Sequence, residues 1–440
     1  MNNKERLELA HWTVAQAKKA GASEAAVWVG NSREIEIEYR EKRIDKLQES
    51  TENGLGLSVY LNGRYSNNNT NDLRKETLGR FIEEAVAMTK YLGEDPYRSL
   101  PDPKYYEGRK DIDLDICDAK YDSVTSDQRV KLARDAEDHA LSLSDKIVSC
   151  SASYSDGIYE SVKVHSNGFE GSQRSTAYSL GVDVAVTDDK GARPRAWDWK
   201  TVRHFNELPA PPTYGDQAVE KALASIGQTK IESGSYDIIV ENRARASLLG
   251  ALEEPMNGSN LQQKNSCLEG KLGEQVFSEL LTVREDPFIK GALGSGLYDP
   301  DGFPRRKRTI VEKGVLKEYL IDWYYSRKLG VEPTGAYLSN VIFELGNRSL
   351  DEMIKSMDKG ILITGFIGGN SNATTGDFSF GIVGKYVEGG KVIKPINEMN
   401  ISGNILEFWK QLVEIGNDPY QYSSLMRPSM SFKGASLTGV

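Results

Sequence analysis

The chain is expected to fold as a mixed α+β protein of two domains, with antiparallel-rich sheets and flanking helices. Three observations predict this. Helical and two-residue apolar periodicities alternate along 440 residues without the strict strand–helix–strand rhythm of a doubly wound sheet. Apolar residues make up 39% and charged residues 27%, an ordinary globular balance in a chain long enough for more than one core. The cluster Leu208-Pro-Ala-Pro-Pro212 breaks the middle, because proline fixes φ and removes a backbone donor. It divides an N-terminal domain, 1–207, from a C-terminal one, 215–440, with 208–214 as the linker.

Over residues 3–20, Leu7, Ala10, Val14, Ala17 and Ala20 recur at helical intervals, and Gly21 supplies the stop. Ala25 to Leu47 reads as extended, with Ile35, Ile37 and Tyr39 on one side between charged neighbours. Gly54 to Leu61 reads as a second strand, and Asn62-Gly63 as a hairpin turn, since both residues tolerate positive φ. A helix over about 73–92 and a proline-bearing connector from Asp95-Pro96 to Pro103 follow.

The order then repeats. Ser126 or Asp127 caps a helix to about Leu143, and strands are expected at Val148–Tyr154, Glu160–His165 and Arg174–Asp188. Asp156-Gly157 is the expected turn between the first two. Repetition of helix, strand, strand raises a duplication within the first half. Beyond the prolines come a helix at 217–227, a strand at Tyr236–Val240 and a helix at 244–254. Strands are expected near 276–283, 308–312, 315–320, 361–366, 378–388 and 391–398. Helices are expected near 322–329, 350–359 and 403–415, before a short tail.

A formal net charge of -9 opposes generic nucleic-acid binding, which needs a basic footprint. The basic run Arg305-Arg-Lys-Arg308 reads as a solvated strand end. Cys117, Cys150 and Cys267 are odd in number and far apart, which fits a reducing compartment better than a disulfide framework. The first residues lead into an amphipathic helix with no apolar leader region, and no apolar run approaches ~20 residues. A cytoplasmic protein without a membrane span is the expectation.

Site chemistry is sparse. Two histidines four apart on a helix can hold zinc, but His11, His139, His165 and His204 are all far apart in sequence. Glu253 and Glu254 are adjacent and do not share a helix face. Cys267 has no local signature of a catalytic thiol, and neither Gly-x-Ser-x-Gly nor a phosphate loop occurs. Asp299-Pro-Asp-Gly302 reads as a turn, lacking the further acidic positions of a calcium loop. Gly365, Gly368, Gly369 and Gly376 permit positive φ and, with Asn370, Ser371 and Asn372, read as a polar loop between strands. Such a loop either lines a cleft in which a peptide pairs with a strand edge or merely connects two strands.

Several segments together resemble the TldD/PmbA family, the modulator of DNA gyrase proteins. They include the strand Tyr236–Val240 with its following helix, Gly273-Glu-Gln-Val-Phe277, Asp286-Pro287 and Leu297-Tyr-Asp-Pro-Asp-Gly-Phe-Pro-Arg305. Gly314-Val-Leu-Lys-Glu-Tyr-Leu320 and Gly376-Asp-Phe-Ser-Phe-Gly381 complete the set. Catalytic relatives carry His-Glu-x-x-x-His on the helix after that strand. Here Gly250 and Ala251 stand near the first pair, and Glu254 and Pro255 near the second histidine. The resemblance therefore points to the PmbA (TldE-like) branch, which lacks its own zinc site. It implies no cofactor and no catalytic residue in this chain, with zinc in a TldD-like partner. It also implies a heterodimer that encloses unfolded or peptide substrates, and a homodimer when the chain is isolated. Asp299, Asp301 and Arg305, with Asn370, Ser371, Asn372, Asp377 and Ser379, are the residues it leads us to expect along the cleft. The competing expectations are a homodimeric peptide- or regulator-binding protein without proteolysis, and an independent hydrolase with an unrecognised site.

Overall fold

The N-terminal half is built on one six-stranded antiparallel sheet with all its helices on one face. The structure is a computed structural model that describes residues 1–188, 190–244 and 247–439. Helix α1 (Asn3–Lys19) is capped by Asn2, whose side chain accepts from the Glu5 amide while the Glu5 carboxylate accepts from the Asn2 amide. Strands β1 (Glu24–Arg40), β2 (Arg43–Leu61) and β3 (Arg64–Thr70) follow. They turn at Glu41-Lys42 and at Asn62-Gly63, four residues of positive φ. The first turn carries no glycine or asparagine, so sequence reading ran straight through it.

Helices α2 (Lys75–Thr89) and α3 (Ser126–Ser142) precede β4 (Ile147–His165), β5 (Glu170–Val186) and β6 (Arg195–Val202), and α4 (Pro212–Leu223) closes this half. The strand order is β3-β2-β1-β4-β5-β6. Asp156-Gly157, expected as a turn, lies inside β4, which is unbroken. Asp156 is buried there, paired with Arg129 of α3 and accepting from the Tyr154 hydroxyl at 2.6 Å. A buried, paired carboxylate overrides the local turn preference of Asp-Gly.

Helices α1 and α2 cover Val27, Val29, Leu55, Leu57 and Val59, while α3 and α4 cover Tyr154, Tyr178, Leu180 and Val182. Period-two alternation places Trp28, Tyr159 and Trp197 on the opposite face, 42%, 39% and 52% exposed. Trp28 lies across Gly30 and Gly54, where a Cβ would come within 2.1 and 3.3 Å of its ring.

The expected linker at 208–214 needs correction. Pro212 starts α4, a position where its missing N–H is not needed. Tyr214, Ala218, Val219 and Ala222 of that helix are buried in the same core as α3. The chain passes between the halves after α4, over residues 224–233.

The C-terminal half contains β7 (Gly234–Val240), α5 (Ser247–Glu253), α6 (Gly258–Gln262), β8 (Val283–Glu285), β9 (Arg308–Glu312), β10 (Val315–Leu316), α7 (Trp323–Leu329), β11 (Val341–Phe343) and α8 (Leu350–Lys355). After these come β12 (Lys359–Ser371), β13 (Asp377–Glu388), β14 (Lys391–Asn404), α9 (Ile405–Lys410), β15 (Leu412–Ile415), β16 (Leu425–Met426) and β17 (Met430–Thr438). Of the helix expected at 244–254, the described residues show Ser247–Glu253; Arg245 and Ala246 lie outside the described residues, as does Val440.

One sheet has the order β14-β13-β12-β7-β17-β15, and β14 also pairs with β17, closing five strands into a barrel. A second has the order β10-β9-β8-β11-β16. Among the strands of the described residues, β7 with β12 and β11 with β16 are the parallel pairs. The class is thus α+β and antiparallel-rich. The expected short tail is instead a barrel strand, and residues 365–371 extend β12 rather than forming a loop. Gly368 and Gly369 have positive φ at a register shift within that strand.

The basic run is not a solvated strand end throughout. Arg305 and Arg308 turn inward onto the buried Glu285, while Arg306 pairs with Glu318 and Lys307 with Asp286.

Candidate functional site

Helix α5 follows the central strand β7 and covers Ser247–Glu253 among the described residues. A side chain at Gly250 would meet nothing within 4 Å. Ala251 is buried, and Pro255 lies within the tight turn Glu254–Met256 that follows the helix. Glu253 and Glu254 are exposed. Among the described residues, no three His, Cys, Asp or Glu side chains gather in a group able to hold a metal ion.

Each histidine has its own partner: His11 contacts Glu170, His139 contacts Asp216, and His204 contacts the Asp115 carbonyl. His165 is buried with Nδ1 3.0 Å from the Tyr106 hydroxyl, and burial pushes its pKa down to about 3. Cys267 packs near Gly376, its amide donating to the Ala373 carbonyl at 2.8 Å, and burial raises its thiol.

The residues expected along one cleft fall into two places. Asn370, Ser371, Asn372, Asp377 and Ser379 lie at the exposed end of the β12–β13 hairpin. That tip satisfies itself. The Asp377 carboxylate accepts from Thr375 at 2.8 Å and Asn404 at 3.1 Å, which holds its pKa below the usual carboxylate range. The Asn372 side chain accepts from the Thr374 amide at 2.9 Å.

Asp299, Asp301 and Arg305 lie in the loop before β9. Asp299 is the turn residue: Oδ1 accepts from the amides of Asp301 and Phe303, both at 2.9 Å, and Gly302 takes φ +91°. Arg305 donates to Glu285 at 3.2 Å and to the Tyr337 carbonyl at 2.8 Å, and so braces the loop. Asp301 accepts from the Trp323 amide at 3.0 Å. Burial, reinforced by the charge of Asp299, pushes it up to about 7.

Of these eight residues only Asp301 lines the cavity where the two halves meet, a space of about 590 Å³. Its floor is the helix-free face of β1, β2 and β3, including Trp28, Tyr65, Asn67 and Asn69. The connector Tyr97–Pro101 and residues 322–325 form its walls, and Lys163 reaches in from β4. A junction between domains, lined by aromatics and a few convergent polar groups, is where ligand sites concentrate. Sequence reading missed this set. The available signal was Tyr65-Ser-Asn-Asn-Asn69, an edge strand that puts Tyr65, Asn67 and Asn69 on one face.

Comparison with known proteins bears on the whole chain. Three successive domains of the PmbA/TldA metallopeptidases match it: domain 1 over residues 25–89, the central domain over 119–226 and the C-terminal domain over 233–439. A metalloprotease PmbA of Escherichia coli O157:H7 is 27% identical, covering 97% of this chain and 96% of that protein. A crystal structure from Bacteroides thetaiotaomicron, described as a candidate modulator of DNA gyrase, superposes with a TM-score of 0.97 at 39% identity over the full length of both chains. TldE from Thermococcus kodakarensis shares the fold, with a TM-score of 0.87 at 21% identity over 98% of this chain and 100% of that one. Full-length agreement in fold, joined to 39% identity and the ordered run of three matched domains, makes this chain a member of the PmbA/TldD family.

Proposed function

We propose that this chain is the non-catalytic subunit of a TldD/PmbA-type zinc metalloprotease. It pairs with a zinc-bearing TldD-like homologue to enclose and cleave unfolded or peptide substrates. One observation carries the reading: α5, the helix that bears the ligands in catalytic relatives, presents Gly250 and Ala251 and gives way after Glu253 to a tight turn containing Pro255. Glycine, alanine and proline side chains have no donor atom for zinc, and the nearby Cys267 thiol packs beneath the hairpin loop. The residues present do not fit a zinc ion, so no hydrolytic step is assigned to them.

Metal content and peptidase activity, measured on the chain alone and mixed with a zinc-bearing homologue from the same genome, test this. Activity on unfolded peptides is expected only in the mixture, with the zinc tracking the homologue. Stoichiometric zinc and activity in the lone chain would overturn it.

A second reading is a homodimer that binds peptides or a regulator without cleaving them. The helix-free sheet face bearing Trp28, Tyr159 and Trp197 favours it. A mixture that stays inactive while the lone chain binds peptide would select it. Both readings place the protein in the cytoplasm and, with a net charge of -9, away from nucleic acid.

A further inference from the structure

We propose that the junction cavity receives the C-terminal end of an extended peptide, its carboxylate on Arg98 and its backbone on Asn67 and Asn69. The inference rests on the peptide-handling reading above and gives it a location in this chain.

Four charged side chains line the cavity. Three are engaged. Asp322 accepts from the Tyr325 amide at 2.7 Å, Asp301 accepts from the Trp323 amide, and Lys163 donates to the Pro300 carbonyl. The Arg98 guanidinium makes no hydrogen bond and no ion pair among the described residues. It sits over the Tyr324 ring, 3.5 Å from the centroid, and 4.8 Å from that of Tyr65. Aromatic rings engage the face of a guanidinium and leave its N–H edge free. That edge matches a carboxylate bidentately. Asp301, pushed up to about 7, opposes an arriving anion less than an ordinary aspartate would.

The surroundings select a peptide and its end. Asn67 and Asn69 alternate on one face of edge strand β3, ~6.8 Å apart, the two-residue repeat of an extended chain. Neither side-chain amide bonds to another described residue, and each can give and accept one hydrogen bond to a peptide backbone. Glycine at 56 keeps the floor low beside them: a Cβ there would stand 3.0 Å from Asn69 Oδ1. Beyond Trp28 the face continues into a second cavity of about 480 Å³ over Gly30 and Gly54. Toward Arg98 the connector and residues 322–325 stand in the way. A chain lying on this face has room behind it and a wall ahead, so the group that meets Arg98 is a terminus.

The test is fluorescence anisotropy on the full-length chain, without partner, using an N-terminally labelled unstructured peptide. Four ligands are compared: the free acid, its C-terminal amide, the amide with an internal glutamate, and an N-acetyl amino acid as competitor. The free acid is expected to bind at least ~10-fold more tightly than the amide, the scale of a charge-assisted pair. Arg98→Met, which keeps the stem, should erase that preference while leaving the melting temperature and the weak amide affinity in place. Asn67→Ala with Asn69→Ala should weaken acid and amide alike. Equal binding of acid and amide, no binding of either, or a preference that survives Arg98→Met would overturn the proposal. So would an internal glutamate that restores full affinity, or an N-acetyl amino acid that competes as well as the peptide. Failure here together with peptidase activity in the two-subunit mixture would sink this site alone and leave the subunit reading standing.

Discussion

Asp301 is a carboxylate whose charge the fold resists. It is half-buried beside Asp299, faces Asp322 and Lys163, and is pushed up to about 7, whereas an unfolded chain restores the ordinary value near ~3.9. Between those limits the folded protein holds a proton that the unfolded chain releases. Folding stability attributable to Asp301 therefore falls as pH rises from about 4 to 7. Discounted for partial exposure, the effect is on the order of 2 kcal/mol. Asp301→Asn, which retains an acceptor for the Trp323 amide, should flatten that slope and raise stability at pH 8 while changing little at pH 4. Urea melts at the two pH values check this, and equal slopes in both proteins would refute it. The residue was legible as a cleft candidate from its motif. Arg98 was not, because its role depends on Tyr65 and Tyr324, which lie far from it along the chain.

Helix α5 follows β7 and carries Gly250 and Ala251. Gly250 sits inside it with open space around the absent Cβ and without positive φ. Gly250→Ala should therefore raise stability by about 0.5–1 kcal/mol through helix propensity and a less disordered unfolded state. The denaturant midpoint reads this directly; a loss would mean that α5 contacts something in the assembled protein at that point. Elements with strong periodicity were legible, among them α1, α3, α7 and the Asn62-Gly63 turn, although Thr125 rather than Ser126 or Asp127 caps α3. Those set by distant pairing were not. From sequence β17 looks like a tail because its place depends on β7 and β14, and 208–214 like a linker because the apolar face of α4 shows its meaning only against α3.

On the scale of the whole molecule, the two halves are fastened around Asp198. This buried carboxylate of β6 pairs with Lys200, lies 4.0 Å from Lys221 of α4, and receives Arg243 from beyond β7. Tyr420 adds a hydrogen bond at 2.8 Å to the Trp199 carbonyl. Burial, then the charge of Lys221, lowers Lys200 to about 8, so it relies on this partner. Asp198→Ala leaves the cations facing one another and should cost roughly 3–5 kcal/mol. Hydrogen exchange should rise in both halves where they meet; a loss under about 1 kcal/mol would show that the fastening lies elsewhere. This join was not legible, because its charges come from positions 198 to 243.

The barrel also imposes an order in time. β7 lies between β12 and β17, yet synthesis delivers β7 roughly 120 residues before the first partner and 190 before the second. The N-terminal sheet has all its strands and helices by residue 223. On the ribosome one half can mature while β7 still presents two bare edges, the hazard that chaperones shield.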